Sequence, residues 1–182
     1  VIAREDMVKI IEKAEANQAM VVVDEAYYPI YSESAQELMA KYKNVAIIRT
    51  FAKVFGIAGV RLGYIMANSD NAKLLRKVYS PYNVPSLSAI CGVAALEDDK
   101  FVQSYLKKMK ENREYLATEL TKLGHKPYPS EANFLLIDFG DQCEEAYKKL
   151  TDAKILVRNK TKTPLLKNCL RITVGSREHC DR

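Results

Sequence analysis

Hydrophobic positions along this chain change period several times, and each change marks an element. From Glu5 to Asn17 the apolar residues Met7, Ile10, Ile11 and Ala14 recur at helical spacing and predict an amphipathic helix. Met20-Val-Val-Val-Asp24 is a short unbroken apolar run ending in a carboxylate, the pattern of a strand covered on both faces. Ala35–Tyr42 reads as a short helix and Val45–Thr50 as a second apolar strand. Strand, helix, strand in that order predicts parallel pairing. A third strand is expected over Arg61–Asn68. The link before it holds Gly56 and Gly59 and is too short for the dozen or so residues that a parallel crossover needs, so this strand is predicted to run antiparallel. Asp70–Tyr79 follows as a helix, with Asn68, Ser69 or Asp70 as its cap.

Pro81 and Pro85 interrupt the helical pattern. Ser86–Leu96 is then a strongly apolar helix. Phe101–Leu123 is a long amphipathic one, with Val102, Tyr105, Leu106, Met109, Leu116, Leu120 and Leu123 on one face and Gly124 as its C-cap. Beyond it the elements shorten. Lys126–Tyr128, Asn133–Asp138, Ile155–Arg158 and Leu170–Val174 read as strands, Glu144–Thr151 as a helix and Asn159–Asn168 as a polar loop. The fold class is α/β: a mostly parallel sheet with one antiparallel strand over residues 1–98, then a smaller α/β unit over 99–182. Three strands are few for a covered parallel sheet, and Ser176–Arg182 resembles the opening turns of a helix. The chain is therefore expected to be a piece of a longer protein.

Composition narrows the function. Over 182 residues the apolar fraction is 48%, the charged fraction 28% and the net charge +5. Lysines alternate with glutamates along the helices, which argues against a nucleic-acid surface and fits anionic small molecules better. No apolar run approaches the ~20 residues of a membrane span, and the charged first residues do not read as a signal peptide. Cys91, Cys143, Cys169 and Cys180 are dispersed, and His125 and His179 are the only histidines, so no metal site is expected. Reduced thiols in a cytoplasmic protein are the simplest reading of the cysteines.

The densest chemistry lies in Arg49-Thr-Phe-Ala-Lys-Val-Phe-Gly-Ile-Ala-Gly-Val-Arg-Leu-Gly-Tyr64. Lys53 has no charged neighbour within three residues, which suits a partly desolvated amine able to form a Schiff base with a carbonyl. Arg61 follows across a glycine-containing turn, with a fork suited to phosphate. Asp24 ends the first apolar strand, where open α/β sheets place ligand groups. Lysine, carboxylate and phosphate-seeking arginine are parts that a pyridoxal phosphate site uses.

These residues carry a resemblance. Val23-Asp-Glu-Ala-Tyr27, the Arg49–Tyr64 run, Val157-Arg-Asn159 and Cys169-Leu-Arg-Ile-Thr-Val-Gly175 together resemble the fold-type I pyridoxal-phosphate-dependent aminotransferases, most nearly the branch acting on histidinol phosphate. The resemblance implies a large cofactor-binding domain, entered partway by this chain, a small domain and a homodimer. It implies that Lys53 bonds the cofactor and shuttles the substrate proton, that Asp24 pairs with the pyridine nitrogen and that Tyr27 bonds the phenolic oxygen. Thr50 and Arg61 would contact the cofactor phosphate; Arg158 and Arg171 would grip the substrate's anionic end. Glu25 is left to structure or solvent, and Asn133 to architecture. Ala52 departs from the family, which usually has serine there, and the lost hydroxyl implies weaker phosphate retention. The implied reaction is transamination between histidinol phosphate and 2-oxoglutarate, giving glutamate, within histidine biosynthesis. A decarboxylase of threonine phosphate, an aromatic amino-acid aminotransferase and a folded but catalytically silent fragment stand as alternatives.

Overall fold

Residues 2–182 are described by a computed structural model, and the chain divides within its longest helix into two units, residues 1–102 and 103–182. The first unit is built on a three-stranded sheet of β1 (Val21–Asp24), β2 (Val45–Thr50) and β3 (Gly63–Ala67), in the order β1-β2-β3. β1 and β2 are parallel, with Asp24 opposite Ile48; β3 is antiparallel to β2, with Thr50 opposite Gly63, as the short link demands. Helices α1 (Arg4–Ala16) and α2 (Gln36–Lys41) supply the core on one face of this sheet. Ile11, Leu38, Tyr42, Val45 and Ile47 are buried there, with Met7, Val8, Val21, Val23 and Met66 packed against them. Each fully buried Ile or Val contributes about 1.5–3 kcal/mol.

The other face differs from the expected two-sided burial. Strand register puts Val22, Asp24, Ile48 and Ile65 together on it, and Val22 is 59% and Ile65 43% exposed. β1 therefore alternates between half-buried and exposed positions rather than being sealed on both sides. An unbroken valine run carries no parity signal, so it could not show which face stays open. Ile10 is likewise exposed, and Val8 takes the core position assigned to it.

α3 (Ser69–Lys77) is capped by the Asn68 side chain, which accepts from the Asn71 N–H. α4 (Ser86–Glu97) begins directly after Pro85, and α5 (Asp99–Lys122) begins at Asp99, with the Asp98 carboxylate accepting from the Phe101 N–H at 3.0 Å. α5 ends at Lys122, so Leu123 falls beyond the last turn and is 71% exposed instead of joining the apolar face.

The second unit carries an antiparallel four-stranded sheet, β4-β5-β7-β6: β4 (Lys126–Pro127), β5 (Phe134–Asp138), β6 (Arg158–Asn159) and β7 (Cys169–Thr173). Leu135, Ile137 and Leu170 are buried, as are Met109 and Leu116 of α5. α6 (Cys143–Asp152) lies between β5 and β6, and the short helix α7 (Arg177–Asp181) ends the described chain. The strand expected over Ile155–Arg158 starts only at Arg158. Lys154 takes a left-handed conformation (φ 62°) and the Ile155 N–H turns back to the Leu150 carbonyl, so the end of α6 absorbs the first apolar residues and leaves Leu156 89% exposed. Among the described residues no helix is long and apolar enough to cross a membrane, and no group of His, Cys, Asp and Glu could hold a metal ion.

Candidate active site

The carboxyl ends of β1 and β2 converge, and four of the predicted residues sit there. Asp24 closes β1 on the open face; its Oδ1 accepts from the Ala26 N–H at 2.9 Å, which turns the chain sharply out of the strand. That turn delivers Tyr27, and the Lys53 Nζ lies 5.2 Å from the centre of the Tyr27 ring. A cation over a ring face at this range is attracted by the ring quadrupole. Lys53 itself is half-buried, as its uncharged neighbourhood implied.

Thr50 ends β2. Its Oγ1 accepts from the Ala52 N–H at 3.0 Å and donates to the Leu62 carbonyl at 3.4 Å, fixing the turn that leads to Lys53. Arg61 precedes β3 instead of opening it. It occupies the left-handed region (φ 54°) after the 3-10 turn Ala58–Val60, and its guanidinium donates to the Ala58 carbonyl at 3.0 Å. A non-glycine residue there costs about 1–2 kcal/mol. Gly63 then passes so close to β2 that a Cβ would sit 2.8 Å from the Arg49 carbonyl oxygen. Thr50 opposite Gly63 thus brings the hydroxyl and the Arg61 region to neighbouring strand ends.

Arg158 and Arg171 belong to the second unit. They are direct cross-strand partners of β6 and β7, and Leu136 flanks Arg171 from β5. The Arg171 guanidinium stacks 4.8 Å from the Phe134 ring centre. Its Nε is buried with no hydrogen-bond partner among the described residues. The register thus sets two like charges side by side and leaves one buried donor of Arg171 without a partner among the described residues.

Sequence reading passed over a cluster behind the strand ends. Glu25 is buried and holds Arg49: the Arg49 Nε and Nη2 both reach Glu25 Oε2 at 2.9 Å. The Ala35 N–H and the Ser34 hydroxyl donate to the same carboxylate, and the guanidinium lies 3.6 Å from the Tyr28 ring centre. Burial pulls the Arg49 pKa down, but hydrogen bonds with Tyr64 and Glu25 outweigh it and hold it above its ordinary value. Glu25 therefore serves structure, not solvent.

Within the first unit, an amine, a carboxylate, a phenol, a threonine hydroxyl and a guanidinium near the strand ends fit a phosphorylated carbonyl cofactor. These groups stand at the strand ends of an α/β unit. The class I and II aminotransferase family matches over residues 1–182, and the chain belongs to that family. A histidinol-phosphate aminotransferase of Thermoanaerobacter sp. (strain X514) is 41% identical over 182 residues, which is all of this chain and 50% of that protein. The chain thus spans about half the length of the curated relatives it matches. The crystal structure of the histidinol-phosphate aminotransferase from Clostridium acetobutylicum superposes with a TM-score of 0.91 at 23% identity, covering 100% of this chain and 57% of that one. That of the Sinorhizobium meliloti enzyme, in complex with pyridoxal-5'-phosphate, gives 0.81 at 26% identity, covering 95% and 49%.

Proposed function

We propose that this chain is the lysine-bearing part of a pyridoxal-phosphate-dependent transaminase acting on histidinol phosphate and 2-oxoglutarate or glutamate, in histidine biosynthesis. Residues 1–98 are its contribution to the large cofactor domain and residues 99–182 to the small domain. The whole enzyme is a cytoplasmic homodimer. One observation carries the reading: the Lys53 amine stands over the Tyr27 ring, three residues past the Asp24 carboxylate, in a chain related to histidinol-phosphate aminotransferases throughout its length.

Pyridoxal phosphate supplies, when bound, an electron sink for a carbanion at the substrate Cα. The residues do the rest. Lys53 Nζ anchors the cofactor and then carries the proton to and from the substrate Cα, the work of a positioned general base and acid. The Asp24 carboxylate holds a proton at the ring nitrogen. The Tyr27 hydroxyl donates a hydrogen bond to the ring oxygen. Thr50 and Arg61 bind the phosphate, and Ala52 leaves that cradle one hydroxyl short. Arg158 and Arg171 form paired forks for the anionic end of either substrate, a carboxylate or a phosphate.

The test is reductive trapping. Incubation with pyridoxal phosphate, reduction with borohydride and peptide mapping should place a phosphopyridoxyl mass on Lys53 and lose it in Lys53→Ala. No adduct on Lys53, in this chain or in the full-length protein, overturns the cofactor reading. With the full-length protein, amino transfer to 2-oxoglutarate is expected. Carbon dioxide release without any keto-acid requirement would instead identify a decarboxylase using the same residues.

A further inference from the structure

Glu25 and Arg49 stand one residue from two proposed cofactor contacts, Asp24 and Thr50, yet point the other way. β1 and β2 are parallel with Asp24 opposite Ile48, and the Glu25 N–H continues the ladder to the Ile48 carbonyl at 2.9 Å. The next step of that register sets Glu25 beside Arg49. Side chains alternate between faces, so Asp24, Ile48 and Thr50 share the open face. Glu25, Arg49 and Tyr64 share the opposite face with Val23, Ile47 and Met66. The pair is well shielded, its side chains 7% and 10% exposed. Its carboxylate is saturated by the Arg49 fork, the Ala35 N–H and the Ser34 hydroxyl, and Ser34 also accepts from Arg49 at 2.8 Å.

Two separate turns leave these strand ends. One, closed by Ala26 N–H to Asp24, aims Tyr27; the other, closed by Ala52 N–H to Thr50, aims Lys53. The buried fork on the back is a side-chain contact that joins the residue after Asp24 to the residue before Thr50, beside the backbone ladder. We propose that the Glu25–Arg49 ion pair is a positioning device, fixing the spacing between the strand end that carries Asp24 and Tyr27 and the one that carries Thr50 and Lys53. Neither residue touches the cofactor. Tyr28, stacked on the guanidinium, ties the first turn to the same pair. The inference rests on the proposed roles of Asp24, Tyr27, Thr50 and Lys53.

The test uses Glu25→Gln and Arg49→Lys, each compared with Ile11→Ala, a core truncation in the same unit at a residue that takes no part in the ion pair. Arg49→Lys keeps the charge but not the fork, and so guards against a Glu25→Gln chain that does not fold. Without cofactor, amide hydrogen exchange is read at Ala26 and Ala52. Positioning predicts exchange about tenfold faster at both amides in either pair variant, through local opening rather than global unfolding, with Ile11→Ala leaving them near wild type. Trapping of pyridoxal phosphate on Lys53 should fall about tenfold in the same two variants and not in Ile11→Ala. Unchanged exchange at Ala26 and Ala52 in the pair variants, or equal acceleration in Ile11→Ala, overturns the proposal. If the wild type itself traps no cofactor, the functional reading falls and the exchange comparison alone decides the positioning role.

Discussion

Removing Arg158 should make the second unit more stable and a worse anion binder at once. Arg158 and Arg171 are cross-strand partners in β6 and β7. The neighbouring Lys160 N–H bonds the Cys169 carbonyl at 3.0 Å, so alternation makes the arginines a hydrogen-bonded pair with Cα atoms about 5.5 Å apart. Two unit charges about 6 Å apart repel by about 0.7 kcal/mol in bulk water and about 3 kcal/mol at an effective dielectric of about 20. Arg158 is exposed, and salt screens over about 8 Å, so the lower end applies. Arg158→Gln in anion-free buffer should therefore raise stability by roughly 0.5–1 kcal/mol, the size of cross-strand charge effects generally. Phosphate reverses the order. A site with Kd about 1 mM gains about 2.7 kcal/mol at about 100 mM ligand, and a tenfold weaker site about 1.4 kcal/mol. Urea unfolding of both proteins with and without phosphate reads all four states. Non-specific salting effects cancel in the difference between the two proteins. A variant that is less stable without phosphate, or a phosphate increment equal in both proteins, would refute the paired-anion-site argument.

Gly63→Ala should destabilise the first unit by about 1–3 kcal/mol, because its methyl would meet backbone oxygen 2.8 Å away rather than a side chain that can move; denaturant midpoints check it. The Cys143 and Cys169 thiols are buried, and desolvation raises their pKa above the ordinary value. A raised folded pKa means the contribution is complete below the unfolded pKa of about 8.5 and is lost as pH rises through the folded value. Stability of the wild type should therefore fall more steeply above about pH 8.5 than that of Cys143→Ala/Cys169→Ala, measured as unfolding midpoint against pH. Equal slopes would show that the thiols are not the groups responsible.

Much of this architecture could be read from residue spacing because local rules and tertiary structure agree. The link from Thr50 to β3 is too short to cross over, so the antiparallel turn was forced, and β2 falls on its predicted residues. Asn68 caps α3 because its short side chain can reach the Asn71 N–H, and Gly124 takes the left-handed conformation that ends α5. The misses have physical reasons. Ile155-Leu-Val157 has strand propensity, but a left-handed residue at Lys154, not glycine, gave no warning that the end of α6 would consume it. Lys53 and Asp24 were singled out from residue chemistry, Tyr27 and Thr50 from the family resemblance, and the structure brings Lys53 to Tyr27. The direct pairing of Arg158 with Arg171 depends on register across a long loop and was not legible in the sequence.

Glu25 and Arg49 show why motif chemistry alone sorts such a site poorly. Both are charged, both lie inside the most informative stretches of the chain, and both adjoin residues proposed to touch a cofactor. Composition offers no reason to prefer Asp24 over Glu25 or Arg61 over Arg49. Parity does. In a strand only every second residue can face a given side, so once Asp24 is placed on the open face, Glu25 must turn from it. The same alternation assigns Thr50 to the open face and Arg49 to the back. A buried carboxylate is costly unless paired, and the parallel register supplies its partner on the adjacent strand. The charge pattern Asp-Glu on β1 and Arg-Thr on β2 is thus one arrangement serving two faces. Each strand presents on the open face a polar group that also closes its own turn, and a charged group backward that pairs with its neighbour's.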